Sequence, residues 1–277
     1  MNVRPAAVAG TWYPGSAESL TEEVASHLGR ADLDHGDGPP PEADLLALIV
    51  PHAGIAYSGS VAAHAYRLLR SRQFEVVIIV GPSHYVGFSG ASIWSRGSFE
   101  TPLGLMRVDE ELALSMLARC AVLHDREDAH RREHSVEMQL PFLGVIAPGV
   151  AIVPIVMGHQ TRETAFAVGD CIAAASAGRR ALIVASSDLS HFFDAATAAV
   201  LDGQVAADVA AFDADALMAR LEQRRDHACG GGPIVSVMRA ARLRGATVSR
   251  VLSYADSGDV SGDKSSVVGY LAAAMWR

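Results

Sequence analysis

Cysteine, aromatic residues and positive charge are all scarce in this chain. It has 3 cysteines in 277 residues and no CxxC spacing, which excludes a disulfide scaffold and indicates a reducing compartment. Lys and Arg number 23 against 31 Asp and Glu, a net charge of −8 at pH 7, so we expect no nucleic-acid partner. The N-terminal residues form no sustained apolar run, so we expect no signal peptide and a cytoplasmic protein.

A membrane-spanning pattern is also missing. The charge-free stretch 138–161 contains three prolines and three glycines, which a lipid-exposed helix does not tolerate, so we predict loop, strand and loop there. We therefore expect no membrane partner. Half of the residues are apolar, which excludes a disordered chain. The GxGxxG, Walker A and HExxH motifs are absent, and with them the usual dinucleotide, phosphate-loop and zinc-protease signatures.

Short apolar runs alternate with longer amphipathic segments along the chain. Continuous apolar runs predict buried strands at 45–50, 76–80, 151–156 and 181–185. Helical spacing predicts helices at about 58–72, 109–119, 161–177, 195–210 and 231–244. This alternation indicates β–α–β units and an α/β fold whose sheet is covered on both faces.

Two later runs, 247–254 and 267–272, predict strands that pair antiparallel to this sheet. The one linker-like stretch, 34–41, lies too close to the N-terminus to separate two domains. We therefore predict a single domain over residues 1–277.

Polar, turn-forming clusters directly follow three of the predicted strands. His52 follows the first strand and His84 the second, while Asp188 and His191 follow the fourth. Ligands of open α/β sheets bind at the carboxyl ends of the strands, so parallel strands would gather these side chains at one edge. Imidazole and carboxylate groups there suit metal binding or proton transfer. The alternatives are turn or core histidines, and an Asp188 that caps a helix beginning at Leu189.

Cys229 and a histidine-rich segment each allow two interpretations. Cys229 precedes three glycines near a predicted helix start, where the dipole and backbone amides lower the pKa of a thiol; otherwise a free cysteine is a small buried hydrophobic residue. On a helix, His130 and His134 would lie on one face. Glu133 and Glu137 have the same spacing. Such pairs suit a metal, but a solvated helix face is the simpler interpretation.

Two further segments are interpreted as structural. Loop 256–263 has the acidic composition of a calcium loop without its spacing or terminal glutamate, so we predict a turn before the last strand. Trp12 and Tyr13 are most simply an apolar anchor for the N-terminal arm, with an exposed aromatic platform as the alternative.

Together these motifs resemble the MEMO family (mediator of cell motility), in particular the bacterial and archaeal protein B of the AmmeMemoRadiSam system, encoded beside an AMMECR-like protein and a radical SAM protein. The likeness spans nearly the whole chain in order. Its motifs are RPAAVAGTWYP at 4–14, PHAGIAYSG at 51–59, GPSHYVGF at 81–88, EHSVEMQLPFL at 133–143, SSDLSHF at 186–192, CGGGPI at 229–234 and SYADSGDVSGDKSSVVGY at 253–270.

The resemblance implies a fold similar to that of class III extradiol dioxygenases, which cleave catechol rings with non-heme ferrous iron. We accordingly expect a single-domain three-layer α/β sandwich with a central, mostly parallel or mixed sheet. The resemblance also implies a functional link to the radical SAM and AMMECR-like proteins.

A metal centre at His52, His84 and Cys229 is a further implication of the resemblance. Fe(II) is the expected ion, with copper or zinc as alternatives, because two imidazoles and a thiolate suit those ions at least as well. His191, oriented by Asp188, would then act as general base toward a small phenolic or enolic substrate. In the ring-cleaving dioxygenases a carboxylate takes the place of Cys229. Further candidate binding residues are His134, Glu137 and Tyr57.

Two other functions remain open at the level of sequence. The first is a thiol hydrolase with Cys229 as nucleophile, His191 as base and Asp188 as orienting group, although it leaves His52 and His84 unexplained. The second is a metal-binding scaffold or peptide-binding protein without catalysis. The resemblance implies a phosphotyrosine-peptide role, but no arginine cluster for a phosphate is apparent in the sequence.

Overall fold

A computed structural model of the chain describes residues 2–31, 39–40 and 43–277. Of the predicted linker at 34–41, all but residues 39–40 lie outside the described part of the chain.

The described residues form the following elements. The strands are β1 (Val3–Arg4), β2 (Leu45–Val50), β3 (Val76–Pro82), β4 (Ala91–Ile93), β5 (Ser98–Thr101), β6 (Gly104–Arg107), β7 (Leu123–His124), β8 (Ala151–Met157), β9 (Ala181–Ser186), β10 (His191–Phe193), β11 (Val248–Asp256) and β12 (Val267–Trp276). The α-helices are α1 (Ala17–Ala31), α2 (Ile55–Tyr66), α3 (Glu110–Arg119), α4 (Glu127–His130), α5 (Leu140–Ile146), α6 (Arg162–Ala175), α7 (Ala195–Ala210), α8 (Ala214–Gln223), α9 (Gly231–Leu243) and α10 (Gly258–Ser261). Short 3-10 helices occur at Arg67–Leu69, Glu137–Gln139 and Arg225–His227.

A mixed sheet of 9 strands forms the centre of the molecule, in the order β10-β12-β2-β9-β3-β8-β4-β7, with β11 paired to β12. Strands β2, β9, β3 and β8 are parallel neighbours. Strand β12 pairs antiparallel to β2, and β11 antiparallel to β12. The predicted α/β fold and the antiparallel pairing of the two late strands are therefore confirmed.

Burial on both faces of the sheet explains why the central strands appear in the sequence as unbroken apolar runs. Every residue of β2, β3 and β9 is buried, as expected for strands covered on both faces. Helices α1, α2 and α5 pack together on the sheet as one group, and α6, α8 and α9 form the other group. This gives the expected three-layer arrangement, with one continuous hydrophobic core.

Several elements differ from the sequence-based expectations. Helices α1 and α8 and a separate sheet of 3 strands, in the order β1-β5-β6, were not predicted. The stretch 138–161 contains helix α5 before strand β8, where a loop was predicted. Pro141 lies in the first turn of α5, where its missing N–H removes no helical hydrogen bond. Among the described residues, no helix has the length and apolar character needed to span a membrane.

Candidate metal centre

The carboxyl ends of three parallel strands bring distant polar residues together. Val50 of β2 lies opposite Ser186 of β9, and Val80 of β3 lies opposite Ala185. The segments that follow these strands are therefore neighbours. The rings of His52 and His84 lie with centroids 5.2 Å apart.

Cys229 reaches the same place from the loop that precedes α9. Its Sγ lies 3.2 Å from Nε2 of His52. One donor atom from each of His52, His84 and Cys229 lies within 4.8 Å of the other two. Metal–nitrogen and metal–sulfur bonds of about 2.0–2.3 Å allow a single cation to bind all three donors with small side-chain adjustments.

Glycine lets the cysteine loop approach the end of β9. A Cβ at Gly230 would lie 2.7 Å from the carbonyl oxygen of Ser186, closer than any side chain tolerates. Gln160 holds the same loop on its other side, because its Nε2 donates to the carbonyl of Cys229 and its Oε1 accepts from the N–H of Gly232, each at 2.7 Å. The loop is thus fixed from both sides and positions the thiol.

The protonation of the His52 ring follows from its neighbours. The hydroxyl of Ser186 donates its one proton to the carbonyl of Ser135 at 2.5 Å and accepts from Nε2 of Gln139 at 2.7 Å. It must therefore accept from Nδ1 of His52, which lies 3.0 Å away. The remaining lone pair of His52 is on Nε2, the nitrogen that faces Cys229. This tautomer is the one that a metal ligand requires.

A carboxylate orients the ring of His84, again with Nδ1 as the donor and Nε2 free. Nδ1 of His84 donates to Oε1 of Glu133 at 2.8 Å, and the backbone N–H of His84 donates to Oε2 at 2.6 Å. Burial alone would raise the pKa of Glu133, but the hydrogen bonds and the charge of His84 lower it to about 2. Glu133 is therefore an ionised acceptor, and Nε2 of His84 is left for a cation.

A second set of donors, His84, Glu133 and His134, also lies within 4.8 Å of one another. Oε1 of Glu133 already accepts from Nδ1 of His84 and from the N–H groups of His134 and Ser135. A cation bound there would have to break these bonds. The set with Cys229 needs no such change, so we take it as the candidate metal centre.

Asp188 lies at the centre but does not orient His191. Its Oδ1 accepts from the backbone N–H groups of His52 at 2.7 Å and Ala53 at 3.2 Å. Nδ1 of His191 donates instead to the carbonyl of Leu189 at 2.8 Å. No helix begins at Leu189, because the chain passes through an irregular segment into β10. The predicted helix cap is therefore wrong, and the backbone of the loop orients His191.

Burial keeps the imidazoles of His52 and His134 neutral and the thiol of Cys229 protonated. Burial, followed by the charge of His84, lowers the pKa of His52 to about 3, and burial lowers the pKa of His134 to about 4. These imidazoles are thus neutral at pH 7, as ligands must be. Burial, followed by the charge of Asp188, raises the pKa of Cys229. The expected lowering at a helix start is wrong here, and a thiolate would need a bound cation.

The raised pKa also bears on the hydrolase alternative. A nucleophilic thiol needs a general base, and the imidazole that contacts the Cys229 thiol is His52. His191 instead forms its hydrogen bond with the carbonyl of Leu189 and none with the thiol among the described residues. The arrangement of Cys229, His191 and Asp188 as a hydrolytic triad therefore has no support in the observed contacts.

A cleft of about 500 Å³ opens onto the centre. Trp12 lies 4.3 Å from His134, ring centroid to centroid, and is 36% exposed, while Tyr57 is 45% exposed. Tyr13 is buried, and its hydroxyl donates to Glu137 at 2.6 Å. Trp12 therefore forms part of the cleft wall, whereas Tyr13 anchors the N-terminal arm. The cleft is lined by Thr11, Trp12, His52, Ala53, Gly54, Ala56, Tyr57, His84, His134, Asp188, His191 and Val268.

Comparison with known proteins agrees with the sequence motifs. A family model described as Memo-like protein matches residues 4–274. The chain is 39% identical over 275 residues to a MEMO1 family protein of Methanosarcina mazei, with 98% of each chain covered. It is 37% identical over 278 residues to a MEMO1 family protein of Methanobrevibacter smithii, covering 97% of this chain and 98% of the relative. The chain belongs to the Memo-like family.

A solved structure of an uncharacterised protein from Escherichia coli K12 resembles this Memo-like chain in fold. The TM-score is 0.57 at 13% identity, over 82% of this chain and 99% of the other. This likeness shows a shared α/β architecture.

Glu137 of this Memo-like protein lies outside the cleft. Its carboxylate forms a buried ion pair with Arg4 and accepts from the backbone N–H groups of Ala7 and Val8. With the bond from Tyr13, these contacts hold the N-terminal arm against the body of the protein. Glu137 is thus placed to stabilise the arm rather than to contact a ligand.

The segment that carries Glu137 is not a solvated helix face, so that interpretation is wrong. Its helical parts are α4 and the 3-10 turn Glu137–Gln139, with irregular chain between them. His130, Glu133, His134 and Glu137 are all buried. Most of their polar groups find partners elsewhere in the chain, which local spacing does not reveal, while Nδ1 of His130 has none among the described residues.

The acidic loop at 256–263 is the turn that precedes β12, with the short helix α10 within it. Lys264 compensates part of its negative charge, because its Nζ lies 2.8 Å from Asp256 and 2.6 Å from Asp259. The sequence-based interpretation as a structural turn agrees with this contact pattern.

Sequence reasoning missed the groups that orient the histidines of this Memo-like protein. Ser186 stood out only as the first polar residue after an apolar run, and Glu133 only by its spacing to Glu137. Neither signal indicates a hydrogen bond to His52 or His84.

Proposed function

We propose that this Memo-like protein is a mononuclear non-heme metal oxidoreductase with Fe(II) at His52, His84 and Cys229. The proposal is carried by one observation: the Nδ1 atoms of both histidines are occupied as donors, so both Nε2 lone pairs are available beside the thiol. Bound ferrous iron would supply redox chemistry and open coordination positions.

His191 is the candidate general base. It lines the cleft, and its Nδ1 donates to the backbone, which leaves the lone pair of Nε2 for a substrate proton. A small phenolic substrate suits this arrangement, because Trp12 and Tyr57 offer aromatic surface for its ring. In this proposal His191 accepts the phenolic proton while the aromatic wall fixes the ring.

The metal assignment is tested by anaerobic titration of metal-free protein with Fe(II), Cu(I) and Zn(II). We expect one equivalent to bind, and no binding at this site in the His52→Ala, His84→Ala, Cys229→Ala triple variant. The exposed His124→Ala variant is the matched control. Equal binding of all three ions by the triple variant and the wild type would discard the site.

Oxygen consumption with a panel of phenols then tests the oxidoreductase. The competing function is a metal-binding scaffold or peptide-binding protein without catalysis, which the exposed Trp12 and Tyr57 would also suit. Metal binding without oxygen consumption by any phenol would favour that function. Loss of His191 should lower turnover without lowering metal affinity if it is the base.

The proposal includes a cytoplasmic location and a functional link to radical SAM and AMMECR-like proteins. All three cysteines are free thiols, which suits a reducing compartment. Enhanced oxygen consumption on addition of the two purified partner proteins would support the link, and unchanged rates with no complex on gel filtration would count against it.

A further inference from the structure

A second cleft, of about 510 Å³, opens at the amino-terminal ends of the central parallel strands, opposite the candidate metal centre. Leu45 and Ala181, the first residues of β2 and β9, line it. The metal centre follows the other ends of the same two strands. The two clefts are therefore separated by the length of the sheet.

Arginine dominates the lining of this second cleft, although the chain as a whole is acidic. Asp44 is the one carboxylate side chain among the lining residues. Apart from the sequence neighbours Arg179 and Arg180, the arginines come from separate parts of the sequence and meet only in the fold. They are Arg72, Arg179, Arg180, Arg244 and Arg277.

Three of these arginines have carboxylate partners. Arg277 pairs with Asp44 at 2.7 Å, Arg179 with Asp109 at 2.7 Å, and Arg180 with Glu75 at 3.3 Å. These pairs account for the carboxylates that lie at salt-bridge distance from the cleft arginines.

Arg72 and Arg244 have no such partner in the part of the chain that the structure describes. Arg72 donates to the carbonyls of Leu68 and Pro40, and Arg244 to those of Ala181 and Arg179, at 2.7–3.0 Å. These bonds use only part of each guanidinium, and a carbonyl oxygen does not neutralise its charge. Asp44 compensates the charge of Arg244 in part, whereas no carboxylate of the described residues does so for Arg72. An uncompensated charge away from water is costly.

Two further observations indicate that the positive charges of Arg72 and Arg244 are incompletely neutralised. Nε of Arg72 is buried and has no hydrogen-bond partner among the described residues. Burial also lowers the pKa of Arg72 and of Arg244 from the usual arginine value. Both groups nevertheless stay protonated at pH 7, because a free guanidinium titrates far above this range.

We propose that this cleft binds a phosphorylated small molecule. Arg72 and Arg244, which have no carboxylate at salt-bridge distance among the described residues, supply positive charge, and Arg180, whose side chain is 66% exposed, offers its terminal nitrogens at the rim. Planar guanidinium forks recognise phosphate oxygens in pairs. A cavity of this size exceeds a phosphate group, so the organic part would pack against Phe74 and Leu243.

A structural role for the same arginines makes a different prediction. Arg244 directly follows α9, and its positive charge there would stabilise the negative end of that helix without any ligand. In that case loss of its charge would lower thermal stability, and added phosphate compounds would have no effect.

Calorimetric titration with inorganic pyrophosphate tests the site in EDTA-treated protein. We expect binding that is equal in the wild type and in the His52→Ala, His84→Ala, Cys229→Ala variant, because the metal centre lies at the other edge. Failure of the proposed function would therefore leave this result unchanged. Nucleoside monophosphates and sugar phosphates then identify the organic part, and succinate tests whether carboxylates bind instead.

Variants of the cleft decide the assignment. Arg72→Gln with Arg244→Gln should abolish binding, and Arg180→Glu should weaken it by about tenfold or more without a change in Tm. The exposed Arg96→Gln, outside the cleft, is the control. If the double variant unfolds, Arg180→Glu alone decides. No binding of any phosphate compound at millimolar concentration, unchanged binding by Arg180→Glu, or tighter binding of succinate would each overturn the proposal.

Discussion

The two histidines of the metal centre are held in opposite electrostatic surroundings. His52 is 2% exposed, and a neutral hydroxyl, that of Ser186, accepts from its Nδ1. The His84 side chain is 28% exposed, and an ionised carboxylate, that of Glu133, accepts from its Nδ1. Both arrangements select the same tautomer, but only one adds charge.

That difference has a consequence for the charge of a loaded centre. A divalent cation that converts the Cys229 thiol to a thiolate gains one negative charge from it, and Glu133 supplies a second through His84. On the neutral side, formed by Ser186 and His52, the hydroxyl fixes the orientation of the ring and adds no charge. We therefore expect the charged side, formed by Glu133 and His84, to contribute more to metal affinity than the neutral side.

The largest effect should come from Cys229→Ser, which removes the ligand that supplies charge directly. Because oxygen is a poor ligand for soft ions, Cu(I) affinity should fall further than Fe(II) affinity, each by more than about 100-fold. Competition with a chromophoric chelator under anaerobic conditions measures both. Cys120→Ser, a buried cysteine outside the cleft, is the control, and wild-type affinity in Cys229→Ser would remove the thiol from the centre.

Glu133→Gln tests the charged side. The amide oxygen can still accept from Nδ1 of His84, but the negative charge is lost, so metal affinity should fall by about 10- to 100-fold. The same chelator competition measures it, with Glu22→Gln on the exposed face of α1 as control. An affinity equal to that of the wild type would show that the carboxylate contributes position and no charge.

Unfolding at acid pH tests whether the buried imidazole of His130 is neutral in the folded protein. Burial, followed by the charge of Arg4, lowers the pKa of His130 to about 3. The unfolded chain binds this proton near pH 6.5 and the folded chain does not, so stability falls as pH drops from about 6.5 toward 3. The loss at pH 5 is about 2 kcal/mol.

Urea unfolding of the metal-free protein at pH 7.5 and pH 5 measures this loss. His130→Gln should reduce the difference between the two free energies of unfolding, and the exposed His124→Gln should leave it unchanged. The same pH difference in His130→Gln and in the wild type would contradict the assignment of a neutral buried ring.

Ser186→Ala tests the neutral side and should have the smallest effect, about tenfold in metal affinity. It removes the acceptor for Nδ1 of His52, so the ring can adopt the other tautomer. Nitrogen NMR of labelled histidine in the metal-free protein gives an independent measurement. The wild type should carry its proton on Nδ1, and a proton on Nε2 instead would show that the donor and acceptor directions are wrong.

Local pattern was sufficient for most of the fold. Strands β2, β3, β8 and β9 and helix α7 were predicted to within about two residues, because continuous burial or helical spacing is visible in neighbouring residues. Helix α1 was missed although Leu20, Val24 and Leu28 recur at helical spacing on its buried face. The signal for α1 was therefore present in the sequence. The short strands β1, β4 and β7 had no such local signal, because they depend on distant pairing partners.

The positions of His52 and His84 could also be anticipated, because residues after parallel strands meet at one edge. Their orienting groups could not be. The direction of the Ser186 hydroxyl bond depends on Ser135, and the charge of Glu133 depends on His84, which lies 49 residues away. The exclusion of Asp188 from orienting His191 likewise depends on a backbone carbonyl.

The amino-acid sequence by itself determined the four central parallel strands, the two late antiparallel strands, five of the ten described α-helices, the family motifs and the edge of the sheet at which imidazoles collect, since each of these depends on neighbours along the chain. Tertiary structure alone decided that the thiol of Cys229 contacts His52, 177 residues away. It also assembled five arginines from four separate places in the sequence into one cleft. Hydrogen-bond direction, burial and charge compensation are properties of contacts in space, and spacing along a chain does not specify them.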